Sequence, residues 1–416
     1  MPSPTTATDP NKWPHLIAIS IACLLGMSPW FSATAVVPAL MDYWDIGSGE
    51  AAWLTMAVQG GFVVGALLSA LLNVPDLWEP RRVFAFGALT AALSNAAIPA
   101  FHVDFNIAVA LRFLTGVSLA LVYPVGMKIM ATWTQSDRGM AIGMLVGALT
   151  VGKAAPHLVK ALGNVSAWEP VVHAVSGLAL LGGVIAWLAG KNGPYASPTP
   201  RFHWRHIGKS LRVRSLRLAN YGYLGHMWEL YAMWTWIPLF LLASFRASGM
   251  VERFSDATIE SLAALAAFAV IGAGGIGSFI AGLVADRWGR SKTAIASLIT
   301  SGACAASIGF LFGASPILVS AIALIWGFSV VADSAQFSAS VSELADREYI
   351  GTQLTTQTAL GFLLTLISIR LIPAVLDFVG WEWTFVLLVP GPIFGIWSMW
   401  RLMRSPDATK LAGGRG

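Results

Sequence analysis

From Trp13 to Leu402 the chain is filled by twelve apolar stretches, most of them 20 or more residues long, with only short polar gaps between them. A helix needs about 20 apolar residues to cross a hydrocarbon core of about 30 Å. Once water is absent, every backbone N–H and C=O must find its partner inside the segment. Twelve such stretches in 416 residues leave no gap long enough for a separate soluble domain. Only 11% of the residues are charged, against about 25% in a soluble domain. The reading is an all-α membrane protein whose work is done inside the bilayer.

The spans fall at 14–40, 51–72, 83–101, 106–133, 139–162 and 168–189, then at 216–245, 257–285, 293–313, 316–342, 349–376 and 381–402. This divides the chain into an N-terminal tail (1–13), a six-helix bundle (14–189), a linker (190–215), a second six-helix bundle (216–402) and a tail (403–416). The first span is not read as a signal peptide, because residues 1–12 offer only Lys12 where a basic n-region is expected. Cys23 and Cys304 both lie in apolar stretches, so neither a disulfide framework nor a cysteine metal site is expected. No cofactor is implied either.

Lys and Arg set the orientation. If the N-terminus is cytoplasmic, nineteen of them fall on that side and two, Arg246 and Arg253, on the other. The asymmetry predicts both termini inside, in a multi-pass protein of a bacterial inner membrane. The net charge of +5 is then the charge of a face that meets anionic lipid headgroups, with no nucleic-acid partner required.

The longest polar gap, Gly190 to Ser215, carries Pro194, Pro198 and Pro200 followed by five basic residues from Arg201 to Arg214, and separates the spans six and six. The halves also repeat each other at an offset of about 210 residues. Gly65 to Asp76, with Arg81 and Arg82 beyond, parallels Gly275 to Asp286 with Arg287 and Arg290 beyond. Thr115-Gly116-Val117-Ser118 parallels Trp326-Gly327-Phe328-Ser329. Two six-helix repeats predict a transporter with its substrate site near midplane, where the repeats meet.

Between the eighth and ninth spans stands Gly282-Leu283-Val284-Ala285-Asp286-Arg287-Trp288-Gly289-Arg290-Ser291-Lys292. It resembles the G-x-x-x-D-R-x-G-R-[RK] loop of the major facilitator superfamily, except that Ser291 precedes Lys292. Its counterpart, Asp76 to Arg82, keeps the acid and the two bases without the glycines. The resemblance covers essentially the whole chain and implies a gating role for Asp76, Arg81, Arg82, Gly282, Asp286, Arg287, Gly289 and Arg290. It also implies that the third, sixth, ninth and twelfth spans face lipid while the others surround a cavity.

Gly272-Ala273-Gly274-Gly275-Ile276-Gly277 formally matches a dinucleotide fingerprint, but it sits inside an apolar span with no preceding strand. Close helix packing through small residues is expected instead, as at Gly61, Gly65, Gly139, Gly143 and Gly147. The chemistry is sought in the charges at mid-span, each of which costs about 3 kcal/mol at the bilayer centre and is functional by default. These are Arg112 in the fourth span, Lys153 and His157 in the fifth, His226 and Glu229 in the seventh, Asp333 in the tenth and Arg370 in the eleventh. The third, sixth, ninth and twelfth spans carry none away from their ends. At 100° per residue Lys153, His157 and Lys160 form one basic face; Arg112, Gly116 and Tyr123 share another; and Trp326, Ser329, Asp333, Gln336 and Ser340 make a polar stripe.

Cations outnumber acids in this set, and a positive cavity attracts an anion. The expectation is a monomeric secondary transporter of a small anionic metabolite or inorganic anion, working by alternating access. Arg112, Tyr123, Lys153, His157, Trp326 and Arg370 are expected to bind substrate, and Glu229, Asp333 or His226 to carry a coupled proton. Trp30-Phe31-Ser32 and Asp333 to Ser338 resemble the nitrate and cyanate permease branch, yet the Gly-Asn-x-Gly-Gly signature of nitrate porters is missing. The alternative is a proton-driven drug or metabolite efflux antiporter. An intramembrane enzyme is disfavoured by the lack of His-Glu-x-x-His and Gly-x-Ser-x-Gly motifs. Reporter fusions at Ser197, Arg290 and Ala412 should read as cytoplasmic, and fusions at Phe101 and Ser248 as external; an external signal at Ser197 would overturn the six-plus-six arrangement.

Overall fold

The computed structural model describes residues 12–134, 138–163, 167–196 and 204–415, with the side chains at positions 75–76, 138–139, 204 and 347 outside that description. Its helices include twelve long and apolar enough to cross a membrane: α1 (Lys12–Ala35), α2 (Ser48–Leu71), α3 (Pro80–Ala100), α4 (Phe105–Thr132), α5 (Met140–Gly163), α6 (Glu169–Ala189), α7 (Arg214–Ala247), α8 (Asp256–Trp288), α9 (Arg290–Leu311), α10 (Pro316–Leu344), α11 (Ile350–Val379) and α12 (Trp381–Met403). An even number of crossings puts the two ends of the chain and the linker on one face of the bundle, called the linker face below.

Three of these helices are broken at points that matter for the site. The α-helix of α1 stops at Gly26, and a 3₁₀ turn follows over Ser28–Phe31 with Pro29 at its start, where a ring without an N–H does least harm. The two parts of α4 end at Leu119 and resume at Tyr123, ahead of Pro124. The two parts of α10 meet at Asp333. Between α8 and α9 the turn takes a single residue, Gly289, at φ +110°, a backbone setting that favours a residue without Cβ.

Small residues hold the helices together as expected of a bundle with little hydrophobic driving force between its helices. A Cβ on Gly116 of α4 would lie 2.0 Å from the Val58 carbonyl oxygen of α2, and one on Gly327 of α10 would lie 1.9 Å from the Val270 carbonyl oxygen of α8. These are matching contacts in the two halves, so the 210-residue repeat is also a repeat of packing. Gly274 and Gly277 likewise lie against α10, and Gly275 of α8 meets Gly147 of α5 across the halves. The glycine run of α8 is therefore a packing surface.

The linker is tied to both halves. Tyr195 N–H donates to the Thr132 carbonyl (3.0 Å) and Trp133 Nε1 to the Lys191 carbonyl (2.9 Å). Further on, Ser210 bonds to Gln353, His206 stacks on Tyr349, and Lys209 Nζ sits 2.9 Å from Asp346. The Lys209 ammonium, bonded to that carboxylate, holds Asp346 below its ordinary value.

Gly327→Ala should lower the stability of the detergent-solubilised protein by about 1–3 kcal/mol, the usual range for overpacking. Gly272→Ala, at a position with no neighbour within 4 Å, should leave the melting temperature unchanged. Equal melting of the two variants would mean that α8 and α10 are not locked by this contact.

Candidate functional site

A cavity of about 370 Å³ lies between the halves. It runs from the Trp30, Phe62 and Phe362 rings near the middle of the bundle to Asp286 and Arg290 at the linker face. Its walls come from both halves: Tyr123 of α4, Thr150 and Lys153 of α5, Tyr223, Tyr231 and Trp234 of α7, Ser278 and Gly282 of α8 and Gln336 of α10.

An aromatic layer closes the inner end. Trp30 meets Phe62 at 5.0 Å between ring centroids and Phe362 at 5.7 Å; Phe62 meets Phe362 at 5.1 Å, and Tyr231 meets Phe362 at 4.9 Å. Phe31 packs edge-on to Trp234. Beside this layer Thr365 of α11 bonds to Gln59 of α2, and farther out Lys160 of α5 pairs with Glu260 of α8 at 3.1 Å. The halves are thus sealed on the side away from the linker.

Lys153 stands on this layer. Its ammonium lies 4.0 Å from the centre of the Trp30 ring and donates to Tyr231 Oη at 2.6 Å, with the Trp234 ring at 5.5 Å. A desolvated cation over a ring is worth about 2 kcal/mol, which offsets part of the cost of burying the charge. Among the described residues no carboxylate pairs with it.

The other expected ligands are dispersed. Tyr123 shares the cavity with Lys153. His157 lines a separate pocket of about 30 Å³ beyond the aromatic layer, with Thr34, Lys160 and Glu260, and neither ring nitrogen has a partner among the described residues. Arg112 is fully buried behind the cavity wall. Its guanidinium donates to the carbonyls of Pro29 (2.8 Å), Trp30 (2.6 Å) and Leu54 (3.2 Å), to Ser32 Oγ (2.9 Å) and to Asn95 Oδ1 (2.8 Å). The expected common face of Arg112 and Tyr123 does not survive, because the break after Leu119 interrupts the helical phase between them. Arg112 and Gly116, both before the break, do share a face, turned toward α2. Arg370 is exposed near the outer end of α11, with Nη1 against Gly49, and does not border the cavity.

The buried acids sit within the last six helices. Glu229 accepts from Trp326 Nε1 (2.7 Å) and from Ser301 Oγ (2.9 Å), which takes Trp326 away from the cavity lining. Asp333 Oδ1 lies 2.8 Å from His226 Nδ1 with both side chains 1% exposed, in a geometry that gives no well-aligned N–H···O bond. Asp333 occupies the break in α10, and the next residue, Ser334, lines the cavity.

At the linker face Arg290 reaches Asp286 (2.9 Å), Glu343 (3.2 Å) and Gln336 (3.3 Å), while Arg287 is exposed. A Cβ on Gly282 would enter open space. In the first half the acid that meets both Arg81 (2.6 Å) and Arg82 (3.0 Å) is Glu79; the side chain of Asp76 lies outside the described residues. Sequence reasoning passed over Glu79, Glu343, Asn95, Gln59 and Glu260. A polar residue in mid-span, as Gln59 and Asn95 are, is the signal that could have found two of them.

The family model of the Major Facilitator Superfamily matches residues 18–363 and 254–416 of the chain. Among solved structures, the crystal structure of the nucleoside transporter NupG (D323A mutant) is similar, with a TM-score of 0.72 at 12% identity, covering 94% of this chain and 100% of that one. No curated protein matches the chain.

Arg112→Lys should test what the guanidinium holds. A lysine has three donors and no planar fork, so it cannot reach all five acceptors. The expected result is a loss of about 1.5–3 kcal/mol in stability and labelling of a cysteine placed at Ser32 that the parent protein protects. Unchanged stability and labelling would return Arg112 to the list of substrate ligands.

Proposed function

Because this chain belongs to the Major Facilitator Superfamily, and is therefore a secondary transporter with twelve membrane spans and not an enzyme, we propose that its substrate is an anion that binds at Lys153. The observation that carries this reading is the ammonium of Lys153 at the closed end of the cavity between the halves, without a paired carboxylate among the described residues. A buried cation with spare donors selects an opposite charge. Tyr231 provides the hydroxyl beside it, and Tyr123 lines the same cavity. Nitrate-like specificity is not carried over from the branch resemblance, nor nucleosides from the structural neighbour, since 12% identity transmits the fold alone.

Transport by alternating access then needs the present arrangement and its opposite. With the linker face cytoplasmic, as the Lys and Arg asymmetry implies, the cavity opens inward and the aromatic layer, Gln59–Thr365 and Lys160–Glu260 form the outer seal. For the inner seal we assign Asp286, Arg290 and Glu343 together with Arg81 and Arg82, and the free space at Gly282 is the room that closing would fill. Gly289 provides the turn and Arg287 the headgroup contact.

For the coupled proton the His226–Asp333 pair is favoured over Glu229. It sits at a helix break one residue from the cavity lining and lacks well-aligned hydrogen bonds, whereas Glu229 is held by two donors deeper in the bundle. The reading is proton-coupled transport of the anion across the membrane; the apolar lining of the cavity also suits proton-driven efflux of an organic compound.

Proteoliposome uptake from a panel of organic and inorganic anions under an imposed pH gradient tests the reading. Lys153→Gln should weaken affinity for the transported anion about ten- to hundredfold, the value of a buried charge-assisted hydrogen bond. Asp333→Asn should keep substrate counterflow and lose pH-driven accumulation, while Glu229→Gln keeps both at reduced stability. A cationic or neutral substrate, or gradient-driven accumulation in Asp333→Asn, would overturn the respective assignment.

A further inference from the structure

The lining of the cavity narrows the substrate further, an inference that rests on the anion reading above. The cavity holds about 370 Å³, within the range of sites for organic ligands. An inorganic oxyanion, about the size of two waters of about 30 Å³ each, would leave most of it unfilled.

Charge is scarce along its midplane walls. Arg112 is consumed by five acceptors outside the cavity, Arg370 lies elsewhere, and His157 is beyond the aromatic layer. One ammonium remains, with one of its three N–H groups already given to Tyr231. Such a site can balance one negative charge; among the described residues no second cation lines this end of the cavity, and Arg290 at its mouth is paired with Asp286 and Glu343, so a dianion's extra charge would be buried unpaired.

Most of the remaining wall is apolar and soft. Trp30, Phe62 and Phe362 present ring surface next to Lys153, and Met27, Met127 and Met227 extend the wall toward the linker face. Thioethers adapt to irregular hydrocarbon shapes, and rings prefer offset or edge contacts with other rings. A strongly hydrated inorganic ion would lose its water to these surfaces without compensation.

We infer that the substrate is an organic monoanion with an apolar body, its carboxylate or equivalent acid group at Lys153 and Tyr231 and its hydrocarbon or aromatic part against Trp30, Phe62 and Phe362. The charged end anchors at the closed end of the cavity, and the body extends along the methionine-lined wall.

Trp30 and Trp234 stand within the site, so ligand binding to the detergent-solubilised full-length protein can be read by tryptophan fluorescence and by thermal shift. The probes are benzoate, hexanoate, succinate, nitrate and uridine at millimolar concentrations. Saturable signals from benzoate or hexanoate, with succinate and nitrate weaker by about tenfold or more, are the expected result. Lys153→Met should abolish them, Lys153→Arg should retain part of them, and Phe362→Ala should weaken the monocarboxylates while leaving nitrate unchanged. Binding of nitrate or succinate in preference to both monocarboxylates overturns this inference and leaves the anion reading standing. Binding of uridine alone overturns both. No signal from either monocarboxylate, or monocarboxylate binding that survives Lys153→Met, overturns the inference as well.

Discussion

The guanidinium of Arg112 holds the piece of backbone on which the cavity is built. A helix that breaks inside a membrane exposes carbonyls with no water to satisfy them, and each costs several kcal/mol. In α1 the break at Ser28–Phe31 turns the Pro29 and Trp30 carbonyls toward α4, where Arg112 meets both along with Leu54, Ser32 and Asn95. Asn95 in turn accepts from Ser32 and donates to Ser176 of α6, so five helices of the first half share one polar knot. The charge of Arg112 and the break in α1 each make the other tolerable.

Two things follow from that knot. It fixes Trp30 and Phe31 at the boundary between the halves, where they meet Phe62, Phe362, Tyr231 and Trp234 and close one end of the cavity. It also gives Lys153 its surroundings, since the ring under the ammonium belongs to Trp30 and the hydroxyl it bonds belongs to Tyr231 in the other half. Opening the aromatic layer must therefore disturb the contacts of the one cation on the cavity floor. Any ligand bound to that cation shares in the energetics of opening, which is the physical link between binding and alternating access.

The halves divide the charge unequally. The buried cations lie in α4 and α5, and the buried acids in α7 and α10, where they are held by Trp326, Ser301 and His226 within their own half. Among the described residues the ion pair that crosses between α5 and α8 is Lys160–Glu260, toward the outer face. Keeping the acids of the last six helices away from Lys153 preserves an uncancelled positive charge where the halves meet.

Some of this was readable before any coordinates. Twelve spans, their order and the six-plus-six division follow from the bilayer's demand for about 20 apolar residues per crossing, a one-dimensional property of the chain. The glycine pattern anticipated close packing, and Gly116 and Gly327 meet α2 and α8 through the same contact in each half. The identities of the buried charges were equally plain, because a charge in an apolar run stands out. What each charge faces was not. A helical wheel assigns a direction around an axis only while the helix stays continuous, and the breaks at 120–122 and at Asp333 reset the phase between Arg112 and Tyr123 and along the stripe of α10. The wheel also cannot say which neighbour lies in that direction. Only the tertiary packing turned Arg112 onto backbone carbonyls, Trp326 onto Glu229 and Arg370 outward against Gly49 of α2, and left Lys153 as the one of these cations that borders the cavity.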